Sequence, residues 1–229
     1  MAFRAVLRRT TVRRVAACLV AIGAAVALIR LANGVFGAED HGRTCTGRAG
    51  LDLSRRTVPG SDLSQRPLRC VNLERARIDG VVSEANLADG NLHRVRLQRA
   101  WLEHVDLSGA DLSDAVAGSA ELTGVKLTHA DLRRIRLDGA TLTDVGLQDA
   151  RLKGASLRGV SLSRSDLAGA DARGADLTGA SLVDTNLRGA RLDGAALTRT
   201  TWSNVVCPDG VKSAGTERES CDGHLRRAS

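Results

Sequence analysis

The chain has 229 residues and a net charge of +7, yet Phe, Tyr and Trp together make only 2% of it and Tyr is absent. That composition excludes a globule packed around aromatic side chains and points to many small aliphatic residues in a regular arrangement. Counted by region, residues 1–50 hold eight Arg against Glu39 and Asp40 (+6), residues 51–206 come to +1 and residues 207–229 to zero, so the body is balanced and a nucleic-acid-binding surface is not expected.

Arg4, Arg8, Arg9, Arg13 and Arg14 precede an apolar run from Val15 to Ile29. Arg30 interrupts it, and a weaker stretch continues to Ala38. This layout predicts a membrane-embedded helix over residues 1–38, either a signal peptide cleaved near Val35-Phe36-Gly37 or a retained transmembrane signal anchor with Arg30 snorkelling to the interface. Both alternatives leave the arginines cytoplasmic and everything after residue 38 outside, in the cell membrane or secreted. Val15-Ala16-Ala17-Cys18 resembles a lipobox but lacks a preceding apolar region, and the paired arginines lack the rest of a twin-arginine signal.

Residues 39–84 read as a linker, an N-terminal cap and irregular first coils. Leu53, Val58, Leu63, Leu68, Leu73 and Ile78 recur every five residues, with Pro59 and Pro67 marking a loose edge. Ile78 and Leu87 are nine apart instead of ten, which predicts an irregular corner near Gly80–Ser83.

Residues 85–204 are regular. From Leu87 a five-residue step runs through Leu92, Leu97, Leu102, Leu107, Leu112, Leu132 and Leu152 to Trp202 in 24 consecutive units. A small or β-branched residue lies two positions before each centre, and Gly closes ten units. No α-helix explains this period, because five steps of 100° carry successive centres around the whole helix. A plain strand fails too, since period two would alternate their faces. A chain that turns a corner every five residues fits, with the Leu and the small residue inward and Gly or Asn at corners needing positive φ.

Ala110-Asp111-Leu112-Ser113-Asp114 and Ala175-Asp176-Leu177-Thr178-Gly179 resemble the A(D/N)LXX signature of the pentapeptide repeat family. The resemblance implies an all-β fold, a right-handed quadrilateral β-helix with four units per coil. That gives six coils over the regular region, stacking to about 29 Å, and about seven with the weaker units. Trp202 takes the last central position and is expected to lid the Leu column.

Cys45, Cys70, Cys207 and Cys221 form an even set flanking the repeats in the part expected outside the cell. Of three connectivities, Cys45–Cys70 with Cys207–Cys221 is expected, because pairing across the ends needs sulfurs a whole solenoid apart. The pairs then cap the two ends. Four free buried thiols are the alternative, and zinc is disfavoured because neither pair has CxxC spacing. Residues 205–229 read as the C-terminal cap and tail and resemble that of other exported bacterial members.

His93, His104 and His129 do not stack on one another at a 20-residue repeat, and the column Asp111, Asp131, Arg151, Asp171 mixes signs. No phosphate loop, metal cluster or nucleophile triad is found, so no catalytic or metal residue, no cofactor and no enzymatic activity are expected. Trp101 faces outward as a contact for a partner or for the cap. The reading is an exported or membrane-anchored scaffold for an unknown protein partner, without nucleic acid. The alternative is the family's topoisomerase-binding mimicry of DNA, which requires a strongly acidic surface that a balanced, exported body does not supply.

Overall fold

The computed structural model describes Cys45, residues 50–213, Cys221 and His224. All fall within one compact unit, Thr44–Ser229. The segment 1–38 lies outside the described residues. Among those described, no helix is long and apolar enough to cross a membrane.

The fold is an all-β solenoid of about seven coils. Strands β1 (Thr57–Pro59) and β2 (Arg77–Asp79) pair in parallel. Strands β3 (Val81–Ser83), β4 (Trp101–Glu103), β5 (Glu121–Thr123), β6 (Thr141–Thr143), β7 (Ser161–Ser163), β8 (Ser181–Val183) and β9 (Thr201–Ser203) form one seven-stranded parallel sheet in chain order. Each strand pairs with the residue 20 positions on, as in Leu102 with Leu122, so one coil takes four five-residue sides. The other three sides are ladders of single parallel bridges, such as Asp111–Asp131–Arg151–Asp171.

Local chemistry explains the five-residue unit. The central Leu and the small residue two positions earlier point inward: Leu132 and Ala130 are fully buried, while Arg133 and Arg134 lie outside. The residue before the centre is often Asp or Asn because its side-chain oxygen accepts the N–H two positions on. Asp111 Oδ1 accepts from Ser113 N at 2.9 Å, Asp166 from Ala168 at 3.0 Å and Asn186 from Arg188 at 3.0 Å. This bond is absent from the β3–β9 side, whose residues before the centres are Val81, Trp101, Glu121, Thr141, Ser161, Ser181 and Thr201. Two positions after each centre the chain turns through a left-handed residue. Arg134 (φ 57°), His104 (φ 53°) and Gly159 (φ 61°) each do so. A Cβ added at Gly159 meets nothing within 4 Å, so backbone strain alone separates residues there. Gly159→Val is expected to cost about 1–3 kcal/mol, while Gly159→Asn, which tolerates this conformation, costs much less; urea melts of the two variants measure the difference.

The short spacing after Ile78 is located more narrowly than the sequence allowed. Centres step from Ile78 to Val82, both 1% exposed, and regular spacing resumes with Val82 to Leu87. The missing residue therefore lies between Ile78 and Val82, where Gly80 turns at φ 85°, and Val81–Ser83 is already ordinary strand. Three ladders cross this point with a 19-residue step, as in Pro67–Asn86, Asn72–Asn91 and Arg77–Arg96. One earlier corner departs as well: after Val58 a 3-10 turn at Gly60–Asp62 replaces the left-handed residue.

Four apolar columns fill the interior. Leu87, Leu112, Leu132 and Leu152 are 1%, 3%, 0% and 1% exposed. Each fully buried Leu contributes about 2 kcal/mol. Trp202 sits over Leu182 and is 8% exposed. It is not the last centre, which corrects the sequence reading. Cys207, 20 residues after Leu187, takes the next central place, and Leu187 N donates to Val206 O at 2.8 Å. A half-cystine is small and apolar enough to serve as a core residue there. Beyond it the chain reverses. Val206 pairs antiparallel with Lys212, Ser213 N donates to Val205 O at 2.7 Å, and Val205 N donates to Ser213 Oγ at 2.9 Å. This return segment occupies donors and acceptors that the final coil would otherwise expose.

Candidate functional site

The disulfides link Cys45 to Cys70 and Cys207 to Cys221, with Cα–Cα distances of 5.6 and 5.5 Å. Cys70 is itself a left-handed corner (φ 63°), and the Cys45 sulfur lies 3.2 Å from the Asp89 carbonyl oxygen. At the opposite end Cys221 is fully buried, and His224 Nδ1 lies 2.7 Å from Asp209 Oδ2.

Three features stand out on the surface. The first is on the β3–β9 side, where Trp101 (54% exposed) lies directly over Val81 (46%). Up the same side the outward residues become hydroxyls: Thr123, Thr141, Thr143, Ser161, Ser163 and Ser181.

The second is a shallow groove lined by Glu74, Asp89, His93, Asp111, Ser113, Arg133 and Arg134 among others. Here His93 Nδ1 is 2.9 Å from Ser113 Oγ, which donates to Asp111 Oδ1 at 2.6 Å. The sequence carries no signal for this contact, because a histidine and a serine 20 residues apart form no recognisable motif. It is not a nucleophile triad. The carboxylate accepts the serine hydroxyl's hydrogen bond instead of orienting the imidazole, and Ser113 is only 5% exposed. Among the described residues no cluster suits a metal ion.

The third feature is a basic face, which the near-balanced charge of residues 51–206 conceals. A groove of about 410 Å³ is lined by Arg55, Arg56, Thr57, Arg75, Arg77, Arg94 and Arg96. Net charge along the chain hides it, because the stacking brings together arginines 19 or 20 residues apart.

Elsewhere several stacks mix signs and form ion pairs. Arg134 grips Asp114 through Nε and Nη2 at 2.7 and 2.8 Å, and Arg164 grips Asp144 at 2.8 and 2.9 Å. Arg173 Nε donates to Asp171 at 2.7 Å within one unit. The hydrogen bond from Arg173 holds the Asp171 carboxyl below its ordinary value; burial opposes it and the Arg173 backbone N–H assists. Burial is the largest influence on Asp131 and pushes it up, but the bonds and charge of Arg133, with Arg151, together bring it below the ordinary value. Carboxyls depressed in the fold stabilise it above their unfolded value near 3.8, and that contribution is lost as pH falls toward their lower folded values. The melting temperature is therefore expected to be flat from about pH 7 to 5 and to drop below about pH 4, as a pH series of thermal melts would show.

Taken together, the uniform coil and the mixed-sign ladders define a five-residue-repeat solenoid. The chain belongs to the pentapeptide repeat family: eight copies of the pentapeptide repeats match residues 83–116, 120–159 and 161–199. Members of this family are generally non-catalytic. HetL, a pentapeptide repeat protein involved in heterocyst differentiation regulation from the cyanobacterium Nostoc sp., is 23% identical, with TM-score 0.43 over 72% of this chain and 94% of HetL. A trypsin-treated form of QnrB1, a plasmid-mediated fluoroquinolone resistance protein, is 19% identical, with TM-score 0.33 over 65% of this chain and 83% of QnrB1. A pentapeptide repeat protein from the Arabidopsis thaliana thylakoid lumen is 28% identical, with TM-score 0.28 over 44% of this chain and 66% of that protein. No curated protein is significantly similar to this chain.

Proposed function

We propose that the protein is a non-catalytic, disulfide-capped scaffold, a right-handed four-sided β-helix carried outside the cell membrane by its N-terminal segment, which engages a protein partner through the Trp101–Val81 patch. The carrying observation is Trp101, 54% exposed on the continuous strand side of a body almost devoid of aromatics. Exposed Trp is enriched at binding hot spots because it supplies a large area at low entropic cost. Support for an oxidising location comes from two disulfides in a chain with a basic, apolar start. The domain reading follows: 1–38 as signal or anchor, 39–84 as cap and first coils, 85–204 as the regular surface and 205–229 as the terminal cap.

DNA mimicry is not favoured. It calls for an acidic rod, whereas the first coils carry an arginine groove and later columns pair their carboxylates. The test has two parts. Cell fractionation with external protease and thiol labelling is expected to find the body outside the membrane with its cysteines oxidised; a cytoplasmic, reduced body overturns the location. A photo-crosslinker at position 103, beside Trp101, is expected to trap one protein reproducibly, with a yield that collapses in Trp101→Ala. Inhibition of gyrase supercoiling by the purified protein would replace this reading with the mimic.

A further inference from the structure

The arginine groove is built from two stacks crossing the first three coils. Arg55, Arg75 and Arg94 are successive corners of one stack, all left-handed at φ 57°, 56° and 56°. Their order is set by backbone bonds from Arg55 N to Glu74 O at 2.8 Å and from Arg75 N to His93 O at 2.9 Å. Thr57, Arg77 and Arg96 form the neighbouring stack, bridged in parallel. Adjacent coils are about 4.8 Å apart, so like charges lie directly over one another. Such pairs are destabilising.

Farther along the solenoid the same corner stack changes sign, with Asp114 paired to Arg134. Only in the groove does it remain all positive. Two carboxylates reach this set: Glu74 lies 3.5 Å from Arg75, and Asp79 pairs with Arg77 at 2.8 Å. Arg55, Arg56, Arg94 and Arg96 have no ion pair among the described residues, although Asp52 feels the charge of Arg56 and Asp114 that of Arg94. Among the described residues no carboxylate lines the groove itself.

From this geometry we infer that the groove is a binding site for a phosphate group. A carboxylate offers two oxygens in one plane and is satisfied by a single guanidinium fork. Here guanidiniums enter from two adjacent stacks and from three coils, which suits an anion whose oxygens point out of any one plane. Arginine, planar and always charged, fits such an anion better than lysine. The ligand also offsets the repulsion between the stacked guanidiniums, so binding and folding are coupled. Free phosphate and a phospholipid headgroup present the same group, and the site's chemistry covers both.

The test uses the full chain in uncharged detergent micelles. Inorganic phosphate, dihexanoyl phosphatidylglycerol and acetate are titrated separately, followed by calorimetry and thermal melting. Either phosphate-bearing probe is expected to raise the melting temperature of the native chain and to bind at least tenfold more tightly than acetate. The triple variant Arg55→Gln/Arg94→Gln/Arg96→Gln is expected to bind at least tenfold more weakly, while Arg199→Gln near the far end binds normally. Without ligand at low salt, the triple variant should melt no lower than the native chain, because like-charge repulsion is relieved; this separates loss of the site from loss of the fold. Phosphatidylglycerol binding more than tenfold tighter than phosphate assigns a lipid source, and equal binding assigns free phosphate. Acetate binding as tightly as phosphate, or undiminished binding by the triple variant, overturns the inference. None of these outcomes depends on the cellular location or on the Trp101 contact.

Discussion

Leu132→Asp is expected to break the solenoid in its middle. Leu132 is fully buried between Leu112 and Leu152, which are 3% and 1% exposed. The peptide joining it to Asp131 is committed in both directions: Leu112 N donates to Asp131 O at 2.8 Å, and Leu132 N donates to Arg151 O at 2.8 Å. The column offers no cation to an inward carboxylate, because the basic neighbours Arg133 and Arg134 lie outside and hold Asp131 and Asp114. A buried, unpaired carboxyl group costs several kcal/mol even when it takes up a proton and becomes neutral. Leu132→Ala removes only the transfer and cavity contributions and should cost about 2–5 kcal/mol. In a stack where each coil contacts only its neighbours, the damage should spread outward from the site. Amide exchange should show protection lost first at residues 112–152 in the Asp variant. Near-native melting of that variant would mean that the interior columns are not the principal source of stability.

Reduction of the terminal disulfide is the second large effect. Cys207 and Cys221 are 14 residues apart in sequence, and closing a loop of that size contributes about 3 kcal/mol. The contribution should be local. Cys221 is fully buried where it bonds to Cys207, and the return segment ending at Ser213 occupies the backbone of Val205. In the Cys207→Ser/Cys221→Ser variant, amide protection of residues 197–213 should fall while residues 85–160 stay protected. The serine at 207 adds a cost of its own, since a hydroxyl then enters a central position that is 1% exposed. Unchanged exchange at 197–213 after reduction would show that the reversed segment holds the end without the covalent link.

The interior was legible in the sequence because the buried centres obey a single period on either side of the one omission after Ile78. The five-residue step alone places Leu87, Leu112, Leu132 and Leu152 inside, and all four are inside. Cys207 is a further centre that the sequence does not announce, because a cysteine in an even flanking set signals a disulfide before it signals a core position. The omitted residue could be confined only to a window, since either Val82 or Ser83 could have served as the next centre; burial of Val82 decides it. The arginine groove and the His93–Ser113 contact were hidden for a different reason. Outward residues obey no pattern along the chain, and their neighbours are 19 or 20 positions away. Writing the sequence in rows of one coil, with the single omission after Ile78, would have aligned Arg55, Arg75 and Arg94 beforehand.

The twenty-residue coil also governs how such a chain can change its length. Gain or loss of a whole coil keeps every outward residue in phase, so duplication of 20 residues would lengthen the hydroxyl-bearing side without disturbing the groove below it. Gain or loss of one unit keeps the core equally satisfied but turns everything beyond it by a quarter of a revolution. The inside is indifferent to that rotation and the outside is not. Sequence drift by five residues is thus a route by which an unchanged scaffold can present a new arrangement of surfaces.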